Sequence, residues 1–198
     1  MADPTIDSEL SALCSAGDFS AATALAIRKF GPEIMGLLVA LSRNDSAAAD
    51  AYSLFCERVW QGLPKFRFES SFRTWAYVVA RRTMTDVRRA AGRQPHVVGA
   101  APSQLPDAVE QARSETRSYL KTERKVELRE LRAELSEDDQ LLLVLRIDRN
   151  LAWDEIARVF AEPDADAAAL KRQSASLRKR FERAKAKLGA AIRAQRGS

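Results

Sequence analysis

Hydrophobic residues recur at intervals of three and four along most of this chain, which is the spacing of one face of an α-helix. Between Asp7–Ser42 the pattern predicts two helices. The first is interrupted at Gly17, and Gly31-Pro32 separates the two, because proline fits the first turn of a helix. A third helix is predicted over Ser46–Gly62, which ends in a Gly-Leu-Pro break.

A fourth predicted helix, Phe72–Ala90, has two different faces, and Ser70 or Ser71 can cap its start. Its apolar positions are Phe72, Trp75, Ala76, Val79, Ala80 and Val87. The opposite positions are Arg73, Tyr77, Arg81 and Arg88. Arginines around a tyrosine suit phosphate contact and base stacking, although a solvated face with a partly buried tyrosine explains the pattern equally well. The loop before this helix, Lys65-Phe66-Arg67-Phe68, also mixes bases with aromatic residues.

Two further helices are predicted in Asn150–Leu188. The first has Trp153, Ile156, Ala157 and Phe160 on one face, and the second has Leu170, Leu177, Phe181, Ala184 and Leu188. The other faces of the second helix are strongly basic. Two helices with facing apolar sides, the second one basic, favour a helix-turn-helix whose second helix reads DNA. An ordinary solvated amphipathic pair is the alternative.

The chain between these two parts has a different character. Residues 92–106 are rich in glycine and proline without helical periodicity, and Asp107–Leu135 is charged and helical in propensity. Ser136–Asp139 resembles a capping box that starts an apolar helix, Leu141–Ile147, expected at the centre of a core, and Asp148–Asn150 is the following turn. No strand-type alternation is present. We therefore predict an all-α chain with two helical domains, 7–91 and 119–195, joined by a flexible linker, 92–118.

The composition indicates a polyanionic partner and argues against a disulfide framework, a metal site and a cofactor site. The 198 residues include 32 Lys and Arg against 27 Asp and Glu, and the basic residues cluster in two windows. Cys14 and Cys56 share no motif and are expected to be small buried residues, and His96 is the single histidine, so we expect no disulfide framework, no metal and no cofactor. No apolar run has the length of a membrane span and no signal pattern opens the chain, so a cytoplasmic protein without membrane contact is expected.

Two stretches resemble the extracytoplasmic-function (ECF) sigma factors of bacteria. FRTWAYVVARRTMTDVRR is similar to their region 2, and LLLVLRIDRNLAWDEIARVF with LRKRFERAKAKL is similar to their region 4; with the linker, the resemblance covers roughly residues 7–192. It implies a dissociable subunit, without catalytic residues, that gives RNA polymerase its promoter specificity. The implied partners are promoter DNA and core RNA polymerase, through its clamp helices and flap, with a monomeric free chain. An anti-sigma partner, common in the family, stays an open question.

The resemblance also assigns residues to functions. The helix that binds core polymerase would contribute Asp50, Ser53, Leu54, Glu57, Arg58 and Trp60. Ser53 stands where the family often has glutamine and Cys56 where it has phenylalanine. The loop that captures a flipped base of the downstream promoter element would be Lys65, Phe66, Arg67 and Phe68. The melted strand would be lined by Arg73, Trp75, Tyr77, Arg81, Arg82, Arg88 and Arg89, with Arg82 replacing a common asparagine.

The recognition helix of the region-4 resemblance is longer than the family's common pattern. The extra part includes Glu162–Asp164 and Asp166–Ala169, so we expect Asp166 to cap an extended helix and Pro163 to lie in the turn. Two alignments stay open for base reading. Alignment from the C-terminal end selects Ser174, Ser176, Arg178 and Lys179, and alignment from the helix start selects Lys171 and Arg172. In either alignment Arg180, Arg183 and Lys187 are expected to contact phosphates.

Two other classes of function fit less of the chain. A conventional helix-turn-helix regulator with a helical sensor or dimerisation domain explains Asn150–Leu188 but not the aromatic and basic loop upstream. A nucleic-acid enzyme needs convergent carboxylates. The acids here lie at predicted helix starts, where the helix dipole accounts for them, namely Glu137, Asp138, Asp139, Asp154 and Glu155.

Overall fold

The structure is a computed structural model that describes residues 4–42, 45–91, 135–162 and 164–196. Within these ranges all regular secondary structure is helical, which confirms the all-α prediction. The described residues divide into two compact units, one within Ala2–Tyr119 and one within Leu120–Ser198. The predicted linker, His96 and most of the predicted helix Asp107–Leu135 lie outside the described residues, so the proposed domain boundaries stay a prediction.

The described residues of the first unit form four α-helices and one short 3₁₀ turn. They are α1 (Pro4–Ser15), α2 (Phe19–Leu41), α3 (Asp45–Gly62), the 3₁₀ turn (Leu63–Lys65) and α4 (Phe72–Ala91). Gly17 has a φ of 75°, a left-handed conformation that glycine adopts readily, and it lies between α1 and α2. Asp18 then caps α2, since its Oδ1 accepts a hydrogen bond from the Ala21 amide at 2.9 Å. α2, α3 and α4 pack against one another around a core that includes Ile27, Leu37, Leu38, Tyr52, Phe55, Val59, Phe72 and Ala80.

The predicted helix boundary at Gly31-Pro32 is wrong. α2 continues through Pro32, although a proline inside a helix lacks the amide for one hydrogen bond and costs about 3 kcal/mol. Ile27, Ile34 and Leu37 lie on either side of this point and are almost completely buried. Each such side chain contributes about 1.5–3 kcal/mol on burial, so packing of the continuous helix outweighs the local penalty.

The described residues of the second unit form three α-helices, α5 (Glu137–Leu143), α6 (Trp153–Phe160) and α7 (Ala167–Arg196), with a π-helical turn, Val144–Asp148, after α5. Ser136 caps α5, as predicted, because its Oγ accepts from the Asp139 amide at 3.3 Å. Leu141–Leu145 are buried, also as predicted, whereas Ile147 is 51% exposed. The apolar stretch therefore forms the centre of the unit only as far as Leu145, within the π-helical turn. The turn that follows includes Asn150 with a φ of 52°.

α6 and α7 meet along the predicted apolar faces. Ile156, Ala157 and Phe160 are buried against the side of α7 that carries Leu177, Phe181, Ala184 and Leu188, and Leu170 is half-buried. The predicted long helix that starts after Asp166 is confirmed. Asp166 Oδ1 accepts a hydrogen bond from the Ala169 amide at 2.6 Å, and the helix then runs without interruption to Arg196. Pro163 lies outside the described residues.

Two smaller points complete the fold. Cys56 is buried, as expected for a cysteine acting as a small apolar residue, while Cys14 is half-buried and burial raises the pKa of its thiol. In the described part of the chain, none of the helices combines the length and the apolar character that crossing a membrane requires.

Candidate nucleic-acid interface

The loop between the 3₁₀ turn and α4 is organised by an aromatic cluster. The Phe66 ring lies 4.6 Å from that of Phe68, 5.0 Å from that of Trp75 and 6.0 Å from that of Phe72, measured between ring centroids. Phe72 is buried, while the other three rings are half-buried and so keep part of their surface accessible. Phe68 has a φ of 55°, which costs a bulky residue about 1–2 kcal/mol. The loop is therefore held in a specific conformation.

Charge and shape at this loop suit an unpaired base. Lys65 and Arg67 are exposed beside Phe66 and Phe68. Aromatic faces bind bases by stacking, and neighbouring cations bind the phosphates that link them. The Trp75 ring packs closely against Gly62, where a Cβ atom would come within 2.9 Å of the indole Cζ2. The residues predicted to capture a flipped base therefore lie together in one surface cluster.

The predicted exposed stripe on α4 is wrong for its first two members, Arg73 and Tyr77. Tyr77 is completely buried, and its hydroxyl donates a hydrogen bond to Glu33 Oε1 at 2.6 Å. The Arg73 guanidinium lies against the same carboxylate, with its Nε 3.1 Å from both oxygens and its Nη2 in contact with Oε1. Arg73 and Tyr77 therefore lie on the packed side of α4. Glu33 of α2 makes this possible, because its carboxylate neutralises the arginine and accepts the hydrogen bond of the tyrosine.

Arg88 is also used within the fold. Its Nη2 donates to the carbonyl oxygen of Leu41, the last residue of α2, at 2.6 Å. The final carbonyls of a helix lack partners within it, so an arginine there satisfies one and complements the negative end of the helix dipole. Arg81 is half-buried, and Arg82 and Arg89 are exposed. The cations that α4 presents to solvent are therefore Arg82 and Arg89 and not the predicted stripe.

The residues predicted to bind core polymerase lie mainly on the outer face of α3. Asp50 is exposed, and Ser53, Leu54, Glu57 and Trp60 are half-buried. The opposite face, which includes Tyr52, Phe55, Cys56 and Val59, is buried against the neighbouring helices. Arg58 differs from the other predicted residues. Its Nη2 lies 2.8 Å from Asp86 Oδ2 and its Nη1 donates to Thr83 Oγ1 at 3.4 Å, so it links α3 to α4.

α7 presents a long basic surface in the second unit. The predicted residues that are exposed on it are Lys171, Arg172, Ser176, Arg178, Lys179 and Arg183, and Ser174 is half-buried. None of the ten residues that begin α7 is fully buried, whereas Leu177 and Phe181 and the following contacts anchor the rest of the helix. The residues of both candidate alignments are thus accessible, but only Arg178 and Lys179 lie beside the packed part of the helix.

Arg180, predicted to contact phosphate, is bound within the protein. Its Nε donates to Asp139 Oδ1 at 2.6 Å, its Nη1 to Asp138 Oδ2 at 3.2 Å and its Nη2 to Ser136 Oγ at 3.2 Å. Burial alone would raise the pKa of Asp139, but hydrogen bonds from Ser136 and Arg180 and the positive charge of Arg180 outweigh it and lower the pKa below 3.8. Burial likewise opposes the charge on Arg180, and the two carboxylates reverse this effect and raise its pKa.

Trp153, at the first position of α6, is in contact with two arginines. The Arg178 Cζ lies 5.6 Å and the Arg146 Cζ 5.0 Å from its ring, both within cation–π range. Arg146 also donates to the carbonyl oxygen of Leu151 at 2.7 Å. Trp153 packs edge-on against Phe181 as well, at 5.5 Å. One predicted base reader, Arg178, is therefore held beside the start of α6.

Sequence reasoning missed Glu33 and the contact of Trp153 with arginines. Glu33 had one signal, since it is an acid in the otherwise apolar stretch that follows Gly31-Pro32. The predicted capping acids are where they were expected. Glu155 accepts from the Ala152 amide at 2.8 Å, and Asp139 takes part in the cap of α5. In the described ranges no cluster of three or more His, Cys, Asp or Glu side chains is arranged to hold a metal ion.

Two comparisons with known proteins bear on this arrangement. Residues 26–94 match the family described as Sigma-70 region 2, a segment that contains most of α2, all of α3 and α4, and the aromatic loop. The chain is also similar to the RNA polymerase sigma-H factor of Pseudomonas aeruginosa, with 28% identity over 144 residues that cover 70% of this chain and 75% of that protein. These similarities support the sigma-factor family.

Proposed function

We propose that this protein is an initiation factor of the ECF type, which binds core RNA polymerase and directs it to specific promoters. The observation that carries the proposal is the match of residues 26–94 to Sigma-70 region 2, because that segment coincides with the unit built from α2, α3, the aromatic loop and α4. The ECF type rests on the resemblance of the two motif stretches and on their order. The protein would act from the cytoplasm as a monomer when free, with domains 7–91 and 119–195 joined by residues 92–118.

Core polymerase would bind the outer face of α3. Asp50, Leu54 and Glu57 lie at spacings of four and three, so they share one side of the helix, next to Ser53 and Trp60. A surface that combines an aliphatic, an aromatic and charged side chains is typical of helix–helix association between proteins. The clamp helices would bind this face. Arg58 would act indirectly, since its bond to Asp86 holds α3 on α4.

The downstream promoter element would bind the aromatic loop and the exposed side of α4. Phe66, Phe68 and Trp75 would stack on bases of the melted strand, and the exposed cations Lys65, Arg67, Arg82 and Arg89 would bind its phosphates. Stacking contributes about 1–3 kcal/mol per base, which matches the few kcal/mol needed to extract a base from duplex DNA. Arg73, Tyr77 and Arg88 would support α4 from inside the fold.

The upstream element would bind α7 as duplex DNA, with α6 beside the groove. Arg178 and Lys179 lie next to the buried residues Leu177 and Phe181, whereas Lys171 and Arg172 lie in a part of α7 without buried side chains. A base reader needs to be held within about 0.5 Å of its productive position, so we favour the alignment that contains Arg178 and Lys179. The flap of the polymerase would bind elsewhere on this unit.

Binding to core polymerase and run-off transcription test this function. Wild-type protein should co-elute with core polymerase and direct transcripts from some members of a promoter library. Leu54→Arg, on the outer face of α3, should abolish co-elution, while Glu9→Arg, on the exposed side of α1, should not. Absence of wild-type binding to core polymerase at low salt would exclude the proposal.

A second experiment tests the aromatic loop. The double change Phe66→Ala and Phe68→Ala should impair formation of the open complex on duplex promoters. It should have little effect on promoters with a pre-melted downstream element of unrelated sequence, where extraction of a base is not required. Equal loss on both templates would show that the rings act only in stability.

A further inference from the structure

The guanidinium of Arg180 on α7 donates hydrogen bonds to three acceptors at the start of α5. Nε, Nη1 and Nη2 each donate to a different side chain, at 2.6, 3.2 and 3.2 Å. The Asp139 side chain is only 15% exposed and that of Arg180 32%. A bond of this kind orients the arginine and leaves two carboxylates beside it that would repel phosphate.

The position of Arg180 on the helix gives this bond a geometric consequence. At about 100° per residue, Arg180 lies about 60° from Leu177 on one flank of the buried side of α7. Arg178 lies about 100° from Leu177 on the other flank, where it contacts the Trp153 ring at 5.6 Å. The buried side itself is made of leucine, alanine and phenylalanine side chains, whose packing is not directional. The two flanking contacts therefore oppose rotation of α7 in either sense.

We propose that Arg180 is a positioning residue that sets the rotation of α7 about its axis, and thereby determines which side chains face duplex DNA. The face opposite the buried side carries Arg172, Lys179 and Arg183, all exposed. A rotation of about 20° would move a side-chain tip by about 2 Å, since the tips lie about 5–6 Å from the helix axis. Base recognition would not survive such a shift. The proposal rests on the proposed function of α7 as the reader of the upstream element.

The experiment compares Arg180→Met with Arg183→Met in the full-length protein. Arg183 lies three residues further along α7, is exposed, and serves as the matched arginine. Binding of a short duplex of random sequence is measured as a function of salt, and base preference is measured by selection from a randomised duplex pool. Thermal unfolding of each variant shows how much of the protein is folded.

The two roles predict different results. Loss of a phosphate contact lowers the slope of log K against log salt by about 0.9, and it weakens binding uniformly across sequences. We expect this for Arg183→Met. We expect Arg180→Met to keep the wild-type slope and to reduce the preference for selected over random sequences by about tenfold. Asp139→Asn should reproduce this loss of preference, and Arg180→Lys should restore part of it.

Each other result counts against the proposal. A slope reduced in Arg180→Met as in Arg183→Met would make Arg180 a phosphate ligand. Unchanged base preference in folded Arg180→Met or Asp139→Asn protein would leave the bond a purely structural one. If the wild-type protein binds no duplex even at low salt, both the assigned function of α7 and this proposal are wrong. If the wild-type protein binds duplex but Arg180→Met and Asp139→Asn keep the wild-type base preference, this proposal alone is wrong.

Discussion

The hydroxyl of Tyr77 donates a hydrogen bond of 2.6 Å to Glu33 Oε1 and joins α4 to α2 inside the first unit. Arg73 binds the same carboxylate one helical turn earlier on α4. A partly buried carboxylate is stabilised when its charge is neutralised and its oxygens accept hydrogen bonds, and these two side chains provide both. Arg73 and Tyr77, predicted to be part of an exposed stripe, therefore fix α4 to α2 next to the aromatic loop.

Tyr77→Phe should destabilise the first unit. It removes a hydrogen bond to a charged acceptor, and such a bond contributes about 1.5–3 kcal/mol. Urea denaturation of the full-length protein measures the change. Arg82→Met, at an exposed position of α4, is the control and should alter the free energy of unfolding by less than about 0.5 kcal/mol. Unchanged stability of Tyr77→Phe would show that the hydrogen bond to Glu33 contributes nothing to the first unit.

Gly62→Ala should displace the Trp75 indole. A Cβ at this position would lie 2.9 Å from Cζ2 and 3.3 Å from Cη2, closer than carbon atoms pack. Overpacking of this kind costs about 1–3 kcal/mol, and we expect a shift in tryptophan fluorescence with it. Gly189→Ala in α7 is the control, because its nearest neighbour is the Arg193 Nη1 at 3.5 Å, an ordinary contact. That change should stabilise the helix by about 0.5–1 kcal/mol. Equal effects of the two changes would contradict the close packing of Trp75.

The ion pair between Asp139 and Arg180 should make stability fall in acid. The pKa of Asp139 is lowered in the folded protein, so its contribution is fully present above the unfolded value of about 3.9 and is lost as the pH falls through the folded value. Asp139→Asn should therefore be less stable than wild type at pH 7, by about 1 kcal/mol for a partly exposed pair. The difference should shrink below about pH 4. A difference that stays constant between pH 7 and acid would show that the charge of Asp139 is not involved.

Pro32→Ala should stabilise α2. The replacement supplies the missing amide and removes the clash between the proline ring and the preceding turn. Together these two effects of a proline inside a helix cost up to about 3 kcal/mol. Thermal unfolding measures the gain. Lys29→Ala, an exposed position one turn earlier, controls for the general benefit of alanine in a helix. A loss of stability in Pro32→Ala would indicate that the ring contributes packing larger than this penalty.

Local periodicity predicted the helices well where one pattern dominated. α3 and α4 begin and end within a residue of their predicted limits, and the caps at Ser136 and Asp166 are where the sequence placed them. The apolar faces of α6 and α7 were likewise readable, because a 3.6-residue repeat leaves few ways to bury them. The sequence indicated that Phe66, Phe68 and Trp75 could act as a group. It did not indicate that Trp75 packs against Gly62.

The sequence by itself determined the all-α class, the positions of most helices, and the stretches that carry aromatic and basic residues. Only the tertiary structure decided which polar side chains of those stretches face solvent. Tyr77 and Arg73 turn inward toward Glu33, and Arg180 toward Asp138 and Asp139, over separations of about forty residues in the chain. Periodicity describes a single helix and is blind to the charge on its neighbour, whereas the burial of a polar group depends on the partner that another helix brings to it.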